Sequence, residues 1–184
     1  TDDPLRILRA YRFMSTTGFE IDENLDLIVK KYMDLINLPA KERIHDEIMK
    51  LFGGKNTAKV LLKMLDDGIL EIIFPCVKDI KRIPPNSHHH LDLIHHIIET
   101  VQQIEILYNE AESEVKKHLD RIDFGGFPRI NHLKLAGFLH DIGKPSTWTI
   151  EESGRHRFIK HDIIGAELAK TLLKNLKFSN KQIQ

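Results

Sequence analysis

Residues Leu135–Thr147 read LAGFLHDIGKPST. An apolar helical run over about 130–141 stops at His140-Asp141, and Gly143 and Pro145 follow at once. A histidine and an aspartate side by side offer an imidazole nitrogen and a carboxylate, the best metal-holding and proton-handling groups a chain has. Taken alone the pair is common. It reads equally well as the last residue of a helix and the first of a turn, with Gly143 as the helix terminator. Adjacent positions on a helix diverge by about 100°, so both side chains can meet one ion only where the helix ends and the backbone relaxes.

The rest of the chain reads as helix after helix. Asp3-Pro4 opens the first, with Leu5, Leu8 and the Tyr11–Met14 stretch on its apolar face, and Gly18 closes it. Asp22 caps a second. Pro39 opens a third, in which Ile44, Ile48 and Leu51 recur at helical spacing up to Gly53-Gly54. Two short helices are expected at about 56–66 and 69–74, ended by Pro75. Ile83-Pro84-Pro85-Asn86-Ser87 is the linker candidate and divides 1–82 from 83–184. Beyond it, one long helix is expected from about His90 to about Leu119. A loop follows at DFGGFPRIN, then the 130–141 helix, a small polar turn at EESGRHRF, a helix over about 161–176 and the start of another at FSN. Alternating β-branched runs are nearly absent, so the expected fold class is all-α.

Composition narrows the function. Lys+Arg and Asp+Glu are equal at 27 each in 184 residues, so no global basic field attracts nucleic acid, and any such contact is local. A single cysteine, Cys76, excludes a disulfide framework and fits a reducing, cytoplasmic setting. No apolar run approaches the length of a membrane span. The chain opens at Thr1 directly on a charged motif, which suggests a segment upstream.

Eleven histidines are many for this length. His96 lies mid-helix in LDLIHHIIETV on a face with Leu93, Thr100 and Gln103, beside the core stripe, where a buried imidazole needs partners. His161 opens the helix HDIIGAELAKTLL. One histidine from a long helix, the His140-Asp141 pair and a helix-start histidine make a metal-ligand set. His88, His89 and His90 read as a surface tract, His95 as solvent-side, and His45, His118 and His132 as ordinary surface positions.

The context LHDIGKP followed by FIKHDIIGAELAKTLLKNLKFSN resembles the HD superfamily of metal-dependent phosphohydrolases, in the form attached to bacterial tRNA nucleotidyltransferases and poly(A) polymerases. The resemblance implies His96 as first ligand, His140 and Asp141 as the pair, His161 as the additional histidine ahead of Gly165-Ala166, and Lys144 as the basic residue beside a phosphate. It implies a divalent ion (Mg, Mn, Ni, Fe or Zn) and Lewis-acid hydrolysis, with Asp141 orienting the attacking water. The family's last aspartate has no clear match, so the HD part is expected to be cut short at its C-terminus.

The first half opens on DDPLRILRAYRF. Asp3 and Arg6 are a good i,i+3 ion pair on a solvated helix. A carboxylate beside a guanidinium also sets acceptors next to donors, the complement of the Watson–Crick edges of cytosine and adenine, and rejects guanine and uracil by about 1–3 kcal/mol per bidentate match. The stretch DDPLRILRAYRFMSTTGFEID resembles the neck of class II CCA-adding enzymes and bacterial poly(A) polymerases. There Asp2, Asp3 and Arg6 match the nucleotide-selecting motif, with Asp2 in place of the usual glutamate, and Arg9 holds the pair or the triphosphate. In KERIHDEIMKLFGG, Arg43 and Glu47 match the helix that buttresses the reading helix.

The family's catalytic head pattern, G-S-x-x-x-x-D-x-D on a sheet, is not found, so this stretch is expected to select nucleotides without transferring them. The leading expectation is a neck/body domain (1–82) and an HD domain (83–184) of a tRNA nucleotidyltransferase. Its expected partners are CTP or ATP and a tRNA or other RNA 3′ end, with no membrane and a homodimer left open. A free-standing HD phosphohydrolase and a metal-free RNA-binding scaffold are the rival readings.

Overall fold

Asp3 begins the first helix as the sequence suggests: its Oδ1 accepts the backbone N–H of Leu5 at 3.2 Å. The computed structural model describes residues 3–85 and 91–184, so Asp2 and the His88–His90 tract lie outside the described residues. Helix α1 (Leu5–Thr17) ends at Gly18, whose φ of 79° is the left-handed C-cap conformation. Helix α2 (Glu23–Tyr32) runs into a 3₁₀ turn, Met33–Asn37. Then come α3 (Lys41–Phe52), α4 (Thr57–Asp66), α5 (Ile69–Ile73) and α6 (Val77–Ile80). The second half holds α7 (Leu93–Glu110), α8 (Ser113–Leu119), α9 (Arg129–Leu139), α10 (Lys144–Thr147), α11 (His161–Asn175) and α12 (Asn180–Ile183). Two short antiparallel strands, β1 (Trp148–Ile150) and β2 (His156–Phe158), form a hairpin around Gly154. Among the described residues the fold is all-α apart from this hairpin and one isolated β-bridge, Ile122 to Pro128.

The single long helix expected over 90–119 is two. Ala111 and Glu112 are extended (ψ 149° and 156°), and α8 starts afresh behind them. No glycine or proline marks the break. Two exposed side-chain bonds span it: Lys116 Nζ donates back to the Asn109 carbonyl at 2.6 Å, and the Tyr108 hydroxyl donates to Asp120. At the other end of α7, Asp92 caps the helix by accepting from His95 N at 3.0 Å.

The core is continuous across both halves. Tyr11, Phe52, Phe74 and Phe138 are its largest fully buried side chains, drawn from α1, α3, the end of α5 and α9. The Tyr11 hydroxyl is satisfied by Asp67 Oδ2 at 2.6 Å. Where α4, α7 and α9 meet, a buried polar knot replaces apolar packing. Glu105 of α7 (8% exposed) accepts from Thr57 N at 2.8 Å and Ala58 N at 3.3 Å, capping α4. Lys134 of α9 (3% exposed) donates to Glu105 Oε1 at 2.9 Å and to the Gly54 carbonyl at 2.6 Å. The two helices that carry His96 and His140 are thereby pinned to the same point of the first half.

His45 and His132 are not surface positions. His45 is 7% exposed, edge-on to Phe178 at 4.3 Å, and its Nε2 lies 3.2 Å from Gln182 of α12. His132 is half-buried, and burial lowers its pKa. A single-residue reading misjudged both because the C-terminal segment folds back over α3 and α9. No described helix is long and apolar enough to cross a membrane.

Candidate metal centre and nucleotide-reading helix

Helix α9 stops at Leu139, and His140 keeps helical dihedrals as its cap (φ −59°, ψ −31°). The turn after it swings Asp141 inward to 3% exposure. Around this carboxylate the structure gathers side chains from four places. His140 Nε2 lies 3.0 Å from Oδ2, His96 Nε2 of α7 lies 3.4 Å from the same oxygen, and His161 Nε2 of α11 lies 3.6 Å from Oδ1. Lys144 Nζ, at the start of α10, is 2.6 Å from Oδ2. The ligand atoms of His96, His140 and Asp141 all lie within 4.8 Å of one another; His161 stands outside that group, on the far oxygen.

The imidazoles are oriented from behind. His140 Nδ1 donates to the Gly137 carbonyl at 2.7 Å, and His161 Nδ1 donates to the Phe158 carbonyl at 2.8 Å. Each bond turns Nε2 of its ring toward Asp141, and in the neutral imidazole that nitrogen carries the lone pair a metal ion would take. Backbone packing places His161. A Cβ on Gly143 would stand 2.1 Å from the His161 carbonyl oxygen and 2.5 Å from Gly165 N, so α11 crosses the α10 turn at a contact only glycine permits. Gly143 has an ordinary φ of −80°, so its role is this close approach and not helix termination.

Electrostatically the centre is a buried anion ringed by nitrogen. Burial alone would raise the Asp141 pKa, but His140 and Lys144 outweigh it and hold it at about 2. The His140 pKa is raised, chiefly by Asp141. Oδ2 has cationic groups close by and yet no hydrogen bond of acceptable angle. A buried carboxylate with the Nε2 atoms of His96 and His140 beside Oδ2 and that of His161 beside Oδ1 fits a borderline divalent ion. A groove of about 560 Å³ between α9, α11 and α12, lined by His132, His140, Asp162 and Ala169 among others, leads to the edge of the centre.

At the other end of the molecule, α1 and α3 lie side by side. Asp3 pairs with Arg43, which lowers its pKa, and Arg9 adds a smaller pull in the same direction. Glu47 (4% exposed) meets Arg9 Nε at 3.4 Å and Arg12 Nε at 3.1 Å. The Arg43 and Glu47 side chains thus contact α1 directly, at Asp3 and Arg9, and Arg12 joins them. Arg6 is exposed on the outer face of α1. Arg12 was not singled out in the sequence, although its i+3 spacing from Arg9 was the signal for it.

Comparison with known proteins gives two family matches along the chain. Residues 18–81 match the family described as "Probable RNA and SrmB-binding site of polymerase A", and residues 93–184 match the HD domain. The A-adding tRNA nucleotidyltransferase of Deinococcus radiodurans is 29% identical over 188 residues, covering 99% of this chain and 39% of the relative. The CC-adding tRNA nucleotidyltransferase of Thermus thermophilus is 27% identical, also covering 99% of this chain and 39% of the relative. The multifunctional CCA protein of Neisseria gonorrhoeae is 29% identical over 171 residues, covering 90% of this chain and 36% of the relative. The chain therefore spans about two-fifths of the length of these relatives. It belongs to the HD-domain family, in the tRNA nucleotidyltransferase and poly(A) polymerase group whose RNA-binding segment precedes the HD domain.

Proposed function

We propose that this chain supplies the neck/body (1–82) and HD (83–184) parts of a tRNA nucleotidyltransferase, and that the HD part is a divalent-metal phosphohydrolase. His96, His140, Asp141 and His161 would hold the ion. When bound, such an ion supplies Lewis-acid stabilisation of phosphoryl charge and an acidified water. Asp141 contributes a carboxylate that stays ionised far below neutral pH. Lys144 contributes the fixed positive charge a phosphate oxygen needs at the edge of the centre. The observation that carries this reading is the buried Asp141 carboxylate, faced by the Nε2 atoms of His96, His140 and His161 from three separate elements.

The substrate class that suits both halves is a phosphate ester at an RNA 3′ end, such as a 2′,3′-cyclic phosphate. In the first half, Asp3 and Arg6, together with Asp2 and Arg9 of the same motif, would read the Watson–Crick edge of CTP or ATP. Arg43 and Glu47 support the readers from α3. Hydrolysis of a 2′,3′-cyclic nucleotide should vanish on chelation, return with added Mn, Ni, Mg, Fe or Zn, and be absent in Asp141→Ala. Activity that survives both chelation and Asp141→Ala would rule the reading out. For the first half, CTP and ATP should bind more tightly than UTP and GTP, and Arg6→Ala should erase the difference. Equal binding of all four to the wild type would contradict base selection here.

A further inference from the structure

The exposed face of α1 carries more than the nucleotide-reading pair. Arg6, Arg9, Phe13 and Thr16 follow one another at spacings that share a helix face. The segment Arg6–Thr17, RILRAYRFMSTT, has three arginines and no carboxylate. Phe13 stands in this stripe at 53% exposure. A lone exposed phenylalanine on a protein surface needs no explanation. This ring, however, is backed: the Arg12 guanidinium carbon lies 4.1 Å from its centroid. Arg12 is in turn set by Glu47 of α3, whose side chain is 6% exposed. One side of the ring is thus occupied by a cation that the fold positions, while over half of the residue's surface remains open to solvent.

We propose that Phe13, backed by Arg12, is a stacking platform for an unpaired base of a single-stranded RNA 3′ end. Aromatic rings interleaved with arginines are how proteins hold single strands: each base lies on a ring while the cations follow the backbone. The seven-residue step from Arg6 to Phe13 spans about 10 Å of helix axis. At about 3.4 Å per stacked nucleotide of one strand, the platform lies about three steps from Arg6. The base it takes is therefore a nucleotide already in the RNA, upstream of the position that Asp3 and Arg6 would read. The matched RNA-binding segment begins at residue 18, so this stripe lies outside it. The proposal rests on the RNA-end reading above and adds a base-binding residue to it.

The test is fluorescence anisotropy of a labelled, unstructured six-nucleotide RNA titrated with the 184-residue chain, its fold checked by circular dichroism. Phe13→Leu keeps the apolar bulk and removes the π face. It should weaken binding about 5- to 150-fold without changing the slope of log Kd against log salt. Phe13→Trp should restore binding and report it by a change in tryptophan emission. Arg9→Ala should instead lower the salt slope by about 0.7. If the wild type binds the oligonucleotide and Phe13→Leu binds it equally well, the platform is refuted while the RNA-end reading stands, and the ring is a contact for another protein segment. If the wild type does not bind the oligonucleotide at all, the RNA-end reading fails and the platform with it.

Discussion

Two glycines packed against each other where α11 crosses the α10 turn should respond to the same substitution with opposite signs. In Gly143→Ala the new methyl would lie 2.1 Å from the His161 carbonyl oxygen and 2.5 Å from Gly165 N. Both are backbone atoms and cannot rotate away. Reaching even a tight 3.4 Å contact requires α11 to retreat by about 1.3 Å, and overpacking of this kind costs about 1–3 kcal/mol. For a chain of this size that lowers Tm by about 2–10 °C. Gly165→Ala places its methyl 3.3 Å from Gly143 N and 3.6 Å from its Cα, a gap that closes with a shift of a few tenths of an ångström. Its position inside a helix then favours alanine by about 0.5–1 kcal/mol. Retreat of α11 also carries His161 away from Asp141, so Gly143→Ala should weaken Mn or Ni binding by about tenfold or more. Thermal unfolding and calorimetric metal titration of the two variants decide the matter. A Gly143→Ala protein as stable and as metal-avid as the wild type would refute the claim that this backbone crossing builds the site.

Other perturbations follow from the same contacts. Lys134→Met leaves the Glu105 carboxylate buried without its cation and should cost about 3–5 kcal/mol by urea unfolding. Adding Glu105→Gln keeps an acceptor for Thr57 N and should recover part of that loss. His132 is held neutral by burial, so its folded pKa lies below the ordinary 6.5. Its contribution to stability is present above pH 6.5 and is lost as pH falls through the folded value, because the unfolded chain binds the extra proton. His132→Gln should flatten the acid side of the stability profile. Saturating divalent metal at about 100 times its Kd should raise stability by about 2.7 kcal/mol, and His140→Ala should abolish that gain.

Much of the fold was legible in residues with a local mechanism. Gly18 ends α1 because only glycine adopts its φ of 79° cheaply, and the Ser179–Gln182 capping box starts α12 at the FSN stretch. The break between α7 and α8 was not legible, since the side chains that span it, Lys116 and Tyr108, act across the turn and carry no local signature. At the site, His96, His140, Asp141 and His161 were all placed by type and spacing, and the structure brings them round one carboxylate. What spacing could not reveal was that Gly143 serves α11 and not the end of α9, or that Lys144 pairs with Asp141 itself. The first is a contact between elements distant in the chain; the second is an i,i+3 pair whose burial depends on α7 and α11 docking against it. The Glu105–Lys134 pair was hidden for the same reason: an acid and a base in two amphipathic helices read as solvated until the helices are docked.

The divalent metal bound per chain tests the centre at His140-Asp141 most directly. Elemental analysis after loading with Mn, Ni, Zn, Fe or Mg and exhaustive desalting should give about one ion per wild-type chain, as the single buried carboxylate and its imidazoles require. Asp141→Ala should give none, with its fold intact by circular dichroism. A wild type that retains no ion under any of these conditions, or an Asp141→Ala protein that retains as much as the wild type, would contradict the assignment of His140-Asp141 as the heart of a metal centre.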